Sequence, residues 1–292
     1  MDLNLPYDIV ENITLEEFNK KYLHQKKPVV IKGLVDKTEA KYWSLQSFKE
    51  KFGNHLVDVV DNTNVKHKKT AVKADFKMKL GDFINEVQKD EECPYRIFLL
   101  NIFKEFPELR SEFPAPEFVN DKFIGDIGYS FFGGKNTKVK MHYDIDMSNV
   151  FHTHFEGKKR CVLFSQESND FLYRLPFSLF SPVDMENPDY EKYPALRYAK
   201  GYDIHLEAGD TLFMPAGYWH YMTYLTGGFS ISYRSLAPTL SEKLKGLKNL
   251  LLMVPFDRMM LNLGKDNWYN WKHKKALEYA NQSLQKVNQL TA

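Results

Sequence analysis

The chain has 292 residues, 43% of them apolar and 15% aromatic, with 22 Phe and 17 Tyr against 15 Gly. That composition supports a sizeable packed core, favours β structure, and excludes a disordered or fibrous chain. Forty basic and thirty-eight acidic side chains leave a formal charge of +2, so no whole-molecule field singles out nucleic acid or a membrane surface as partner.

Cys93 and Cys161 form neither a paired framework nor a C-x-x-C motif, which points to a reducing compartment and two buried thiols. Met1 to Pro6 lack the basic and apolar regions of a leader, and apolar runs such as Leu250 to Val254 are too short to span a bilayer. The expectation is a cytoplasmic protein with no membrane partner.

Along the chain, Thr14-Leu15-Glu16-Glu17 is a capping box, in which hydroxyl and carboxylate satisfy free backbone donors, so a short helix starts there and ends by Lys27-Pro28. Val29-Val30-Ile31, closed by Gly33, predicts a short buried strand. Ser44 caps a second helix over Leu45 to Phe52, with Leu45, Phe48 and Phe52 on one face and Gly53 at its end. Leu56 to Val60 predicts a strand, Leu80 to Val87 an amphipathic helix, and Arg96 to Ile102 another strand. Between them, residues 62 to 79 carry Lys66, Lys68, Lys69, Lys73, Lys77 and Lys79 with little apolar period. This stretch reads as a solvated loop or exposed ribbon, with a basic lip for an acidic or nucleic-acid substrate as the alternative.

From Phe123 the pattern changes to short strands at 123–132, 137–143, 149–156, 159–165, 203–207, 210–214 and 228–234, punctuated by Gly-containing turns. Such spacing predicts a barrel or jelly roll. Residues 166–202, with Pro176, Pro182, Pro188 and Pro194, break the rhythm and read as an insertion. After Pro238 the chain turns helical: Leu240, Leu244, Leu247 and Leu251 form one stripe, Pro255 interrupts it, and Leu277, Ala280, Leu284 and Val287 form a second. These stripes need a partner surface, either the barrel or, in a homodimer, a second copy of the chain. The expected organisation is therefore a domain over 1–237, with its core at about 123–236, and a helical segment over 238–292.

The chemistry lies in Met141-His142-Tyr143-Asp144 and Pro215-Ala216-Gly217-Tyr218-Trp219-His220. On a strand, residues i and i+2 share a face, so His142 and Asp144 present an imidazole and a carboxylate to one point. His220, returning after the Thr211 to Met214 strand, supplies a third group. Two His and one carboxylate on one face of an octahedron leave three positions open, the arrangement of non-haem iron(II) oxygenases. Tyr143, Trp219 and Tyr221 read either as walls of this site or as ordinary core.

The stretch Glu207 to His220 resembles the second metal-binding motif of the cupin-like JmjC family. His142-Tyr143-Asp144 with Asn149, followed by Gly157-Lys158-Lys159-Arg160, resembles its first motif and the hairpin behind it. Pro28 to Gly33 with Trp43-Ser44-Leu45 is similar to its entry segment, so the resemblance runs over about residues 8 to 236. It implies a mainly β protein: a double-stranded β-helix, cupin-like core with N-terminal α/β elements and a C-terminal helical segment. It also implies an oxygenase using iron(II), 2-oxoglutarate and O2, patterned like the protein hydroxylases such as the asparaginyl hydroxylase of hypoxia-inducible factor. In that pattern His142, Asp144 and His220 hold the metal, and Lys159, two residues after the hairpin glycine, binds the distal carboxylate of 2-oxoglutarate. A pocket ammonium suits that carboxylate while the keto acid end chelates iron. Asn149 and His152 join the cosubstrate pocket, His152 as a polar wall, since a fourth protein ligand would close a position that oxygen needs.

The chain departs from the family pattern in several places. Two extra residues separate His142 from Gly157, Val139 stands for a threonine, Phe98 for a tyrosine, and Arg234 for an asparagine on the last strand. Arg234, with its bidentate fork, is the alternative to Lys159 as carboxylate partner. Competing functions on the same ligands are a zinc or manganese isomerase or hydrolase and a non-catalytic binding protein. For an oxygenase the preferred substrate is a protein side chain rather than RNA.

Overall fold

A computed structural model of the chain describes residues 1–63, 74–89, 91–119 and 126–291. Residues 64–73 of the lysine-rich stretch and 123–125 of the strand expected from Phe123 lie outside them.

The N-terminal part adds strands to the edges of a sheet and helices to its face. β1 (Asp8–Glu11) runs parallel to β2 (Val29–Lys32), and α1 (Leu15–Phe18) between them starts at the expected capping box of Thr14 and Glu17. α2 (Leu45–Phe52) begins after Ser44, whose hydroxyl accepts the Ser47 N–H, while the Glu156 carboxylate accepts the Leu45 N–H at 2.5 Å. β3 (Leu56–Asp61) pairs antiparallel with β4 (Phe76–Lys79), so the last four residues of the lysine-rich stretch form an exposed ribbon. α3 (Leu80–Val87) follows directly. Gly53, after α2, has ordinary helical φ; a β-carbon there would strike the Lys49 carbonyl. β5 (Tyr95–Asn101) ends one residue earlier than predicted, because Asn101 caps α4 (Ile102–Glu105) by accepting the Lys104 N–H.

Eight further strands form the core: β6 (Tyr129–Gly133), β7 (Lys138–His142), β8 (Asn149–Glu156), β9 (Lys159–Phe164), β10 (Gly201–Leu206), β11 (Thr211–Met214), β12 (Trp219–Tyr224) and β13 (Gly228–Ser235). One sheet runs β1-β2-β11-β8-β13-β6-β5-β3-β4 and the other β10-β9-β12-β7. The chain crosses between the two sheets as it proceeds, which makes the core a jelly roll wound as a double-stranded β-helix. The mainly β, cupin-like architecture expected from the sequence is the observed one. β12 is the strand missing from the sequence reading.

Alternation along these strands sorts side chains into layers. Outward residues of the larger sheet, including Phe132, Phe151, Phe213 and Phe229, pack with Phe18, Phe48, Phe83 and Phe113 of the N-terminal layer. Each such fully buried ring contributes about 1.5–3 kcal/mol of transfer free energy. Outward residues of the smaller sheet, Tyr143, Phe164 and Trp219 among them, pack on Leu172, Tyr173 and Leu196 of the 166–202 insertion. Between the sheets, Val150, Cys161, Leu163, Ile204, Leu206, Leu212 and Met214 fill one half of the barrel. The other half receives the inward polar residues of β7, β8, β9, β12 and β13. Both cysteines are buried free thiols.

The insertion covers the free edge of β7: Phe180 bridges His142, the Tyr143 N–H donates to the Leu179 carbonyl, and the Ser181 N–H to that of Met141. At the opposite edge, Asn4 bridges Tyr202 of β10.

α5 (Leu240–Lys248) runs through a π turn into α6 (Val254–Thr291). The helical run continues through Pro255, which predicted a break; the π turn over Asn249–Met253 just before it alters the hydrogen-bond ladder where its missing N–H falls. The break falls at Lys265 (φ 41°, ψ −121°), and Asp257 accepts hydrogen bonds from Trp268 and Lys272 across it. Ala276 and Ala280 are buried against the insertion cluster with Leu277 and Leu284 beside them, so this face docks within the chain. The Leu240, Leu244, Leu247 and Leu251 stripe is exposed, from 50% to 71%. Among the described residues, no helix is long and apolar enough to cross a membrane.

Candidate functional site

His142 ends β7, and its Cα partner in the antiparallel neighbour β12 is His220. Cross-strand partners lie side by side, and the two imidazole centroids are 4.2 Å apart. The register of β12 against β7 shifts just after His220. Asp144, two residues past His142, points the same way, and one ligand atom from each of the three residues lies within 4.8 Å of the others. The structure thus brings together the three residues the sequence singled out.

The surroundings fix how these groups face. His142 Nδ1 lies 2.8 Å from the Lys140 carbonyl and His220 Nδ1 3.2 Å from that of Tyr218. A carbonyl only accepts, so both rings carry Nδ1–H and turn an Nε2 lone pair toward the centre, the orientation that outer hydrogen bonds impose on metal-binding imidazoles. Burial, then the neighbouring His220, push the His142 pKa down to about 3 despite the Asp144 charge. Burial lowers that of His220 as well. At Asp144 burial acts upward, but the Arg234 guanidinium and the two imidazoles outweigh it and leave the carboxyl below its ordinary value. Two neutral imidazoles and a carboxylate with convergent lone pairs fit a divalent transition metal. Phe180 of the insertion stacks on the His142 ring at 5.7 Å. A cleft beside the three groups is lined by Ser148, Val150, Met214 and Tyr218.

Lys159 enters from β9, only 2% exposed, and donates to Ser230 Oγ at 2.8 Å and His152 Nε2 at 3.0 Å. Its ammonium lies 4.0 Å from the centroid of the Tyr224 ring. No carboxylate pairs with it among the described residues, and burial pushes its pKa down to about 7. His152 Nδ1 meets Ser232 Oγ at 2.7 Å, and His154 Nδ1 meets Ser230 Oγ at 2.8 Å. Both rings are kept well below their ordinary pKa by burial and then by Lys159. His152 thus lines the interior as a polar wall, and its pKa responds to His220 as well as to Lys159.

Two expectations need correction, and one alternative is decided. Arg234 does not wait for a ligand: Nη2 lies 3.1 Å from Asp144 Oδ2 and Nη1 2.9 Å from Asp146 Oδ2, so two protein carboxylates occupy its fork. Asn149 is used structurally, its oxygen accepting the Ala216 N–H at 2.9 Å and its nitrogen donating to the Leu236 carbonyl at 3.2 Å. It shares the outward face of β8 with Phe151, opposite to His152. Of the two readings of Tyr143, Trp219 and Tyr221, the structure has ordinary core: they pack outside the smaller sheet, where the Trp219 indole donates to Asn169 at 2.7 Å. Sequence reasoning missed Asp146, Ser230, Ser232, Phe180 and Arg96, the last 3% exposed on β5 with its guanidinium over the Phe98 ring. The i+2 spacing of Asp144 and Asp146 was the available signal for the first of these.

Residues 15–235 match the model of a family described as cupin-like domain. The chain belongs to that cupin-like family. Among curated relatives, it is similar to JmjC domain-containing protein D of Dictyostelium discoideum, 29% identical over 75% of the chain and 53% of that protein. It is also similar to human tRNA wybutosine-synthesizing protein 5, 28% identical over 74% of the chain and 73% of the relative. With lysine-specific demethylase 8 of Xenopus tropicalis it shares 26% identity over 75% of the chain and 50% of that protein. The chain thus spans about half the length of the first and third, and its membership is in the JmjC-type branch of cupin-like proteins that the first of these names describes.

Proposed function

We propose that the chain is an iron(II)- and 2-oxoglutarate-dependent oxygenase, a hydroxylase acting on a protein side chain. The observation that carries this reading is a pair of adjoining features in one barrel: the convergent His142, Asp144 and His220, and a buried Lys159 with no carboxylate partner among the described residues. His142 and His220 would hold the metal through Nε2 and Asp144 through a carboxylate oxygen. When bound, iron(II) would supply the redox chemistry of hydroxylation with 2-oxoglutarate and O2, giving succinate and carbon dioxide as coproducts.

The remaining steps belong to the chain. Lys159 takes the distal carboxylate of 2-oxoglutarate by a charge-assisted hydrogen bond, with Ser230 and His152 beside it. Both accept from the Lys159 ammonium and so fix its position in the pocket. Arg234 keeps Asp144 ionised and oriented. The Phe131 and Tyr224 rings limit water around the cosubstrate, which strengthens the electrostatics of a closed pocket.

The convergent ligands beside a buried cation favour this reading over a zinc or manganese isomerase or hydrolase and over a non-catalytic binding protein. The test is succinate formation by the full chain with iron(II) and 2-oxoglutarate, abolished by Asp144→Ala. Incubation of cell-extract proteins and RNAs with the active protein, followed by a search for the mass gain of one oxygen atom, identifies the substrate class. A tRNA substrate is the second reading, favoured by the match taking in 73% of human tRNA wybutosine-synthesizing protein 5. The exposed leucine stripe of α5 is, in this proposal, the surface on which two copies of the chain associate.

A further inference from the structure

Helix α5 touches the loop after β7 with one face and leaves the opposite face to solvent. Gly246 is buried against this loop so closely that a β-carbon would collide with the Asp146 backbone. Asn249, also buried, donates its side-chain N–H to the Ile145 carbonyl at 3.1 Å. Residues three apart share a helix face, so these two make one contact onto residues 145 and 146. The loop carries Asp144, and Arg234 ties the Asp144 and Asp146 carboxylates together. From the same helix Lys245 reaches Gln166 Oε1 at 2.6 Å. Gln166 in turn donates to the Gly217 carbonyl at 3.1 Å, in the turn that leads to His220.

We propose that Gly246 and Asn249 are positioning residues for Asp144: they hold its loop at the depth where the carboxylate meets His142 and His220. The inference rests on reading those three as metal ligands. A site of this kind needs its ligands held to about half an ångström, and a carboxylate just past the end of a strand has no ladder of its own to hold it. Asn249 and Gly246 supply that restraint from outside the barrel, and Arg234 transmits it to the carboxylate oxygen. Asn249 is the more informative of the two, because its hydrogen bond can be removed without forcing any atom to move.

The test is cobalt(II) titration of the full chain, followed by visible absorption, together with hydrogen exchange of the 145–148 amides in the absence of metal. Asn249→Ala is expected to weaken cobalt(II) binding about 10- to 100-fold, the range for outer partners of metal ligands, and to speed exchange in the loop. Gly246→Ala is expected to do the same; should it not fold, Asn249→Ala decides alone. The control is Leu284→Ala, in the part of α6 that docks on the insertion through Ser283 and Asn288. It is expected to lower the melting temperature and leave cobalt(II) affinity unchanged. Wild-type affinity and exchange in Asn249→Ala would overturn the proposal, as would an equal affinity loss in Leu284→Ala, which would make the effect one of general loosening. If the wild-type chain binds no cobalt(II), the ligand reading itself falls, and this inference with it.

Discussion

The polar half of the barrel has two ends of opposite electrostatic design. At one, Asp144 and Asp146 face Arg234 and two imidazoles held neutral, so charges are paired within the protein. At the other, Lys159 sits among hydroxyls, imidazoles and an aromatic face, with no anion of its own among the described residues. His142 and His220 at the first end and Lys159 at the second lie on strands, while Asp144 and Asp146 lie on the loop after β7; the second end leaves a buried cation for something else to neutralise. The difference teaches which end should answer to a metal and which to an anion.

The most severe way to break this division is Asp144→Ala. It removes a ligand at the paired end and is expected to reduce cobalt(II) or iron(II) affinity by at least about 100-fold, the upper end of what outer partners alone cost. Titration monitored by absorption or calorimetry checks it. Lys159→Met attacks the other end. Loss of 2-oxoglutarate binding by about 2–5 kcal/mol is expected, with cobalt(II) affinity retained, because one partner of a buried charge pair is gone. The same variant should raise the melting temperature of the ligand-free protein at pH 6, since an uncompensated buried charge has been replaced by an apolar side chain.

The Lys159 end also carries a pH signature. Its folded pKa of about 7 lies below the ordinary 10.5, so between these values the unfolded chain holds more protons and stability rises with pH. Binding of a dicarboxylate requires the ammonium form. Affinity is therefore constant below pH 7 and falls above it by up to about tenfold per pH unit, with proton uptake on binding. Calorimetry at pH 8 in buffers of different ionisation enthalpy measures that uptake, and a pH-independent affinity from 6 to 9 would contradict it. The smallest effect concerns the outside of the same structure: Leu244→Glu on α5 with Leu251→Glu on the π turn after it should shift the elution volume to that of a smaller species and leave metal binding nearly unchanged.

How much of this was legible in sequence depended on strand parity and on burial. The pair at 142 and 144 was readable because the i, i+2 rule needs no tertiary information. The same rule could have excluded Asn149 from the pocket, since it lies an odd number of residues from His152 and so faces the other way. β12 was missed because all six of its residues are buried and give no alternation of polar and apolar positions. Its role in carrying His220 was read from the motif and not from a strand signal. Arg234 was placed correctly in the site but given the wrong partner, because Asp146 reaches it only through the fold of the loop. Pro255 misled for a local reason: proline breaks regular helix interiors, and here a π turn directly precedes it. The bend at Lys265 had a local signal that went unread, Gly264 before it and Asp266-Asn267 after it, and Gly246 was a glycine inside a helical stripe, the mark of a close approach.

The covered edge of β7 limits how a substrate can arrive. With Leu179 to Ser181 already bonded along the strand that ends in His142, no visiting polypeptide can extend the smaller sheet there by strand addition. Under the proposed function, a peptide would be expected to present its reacting residue on a bend or a helix, and a nucleotide to turn its base inward. Selection of the target would then rest on the shape of the rim, with little contribution from backbone hydrogen bonding.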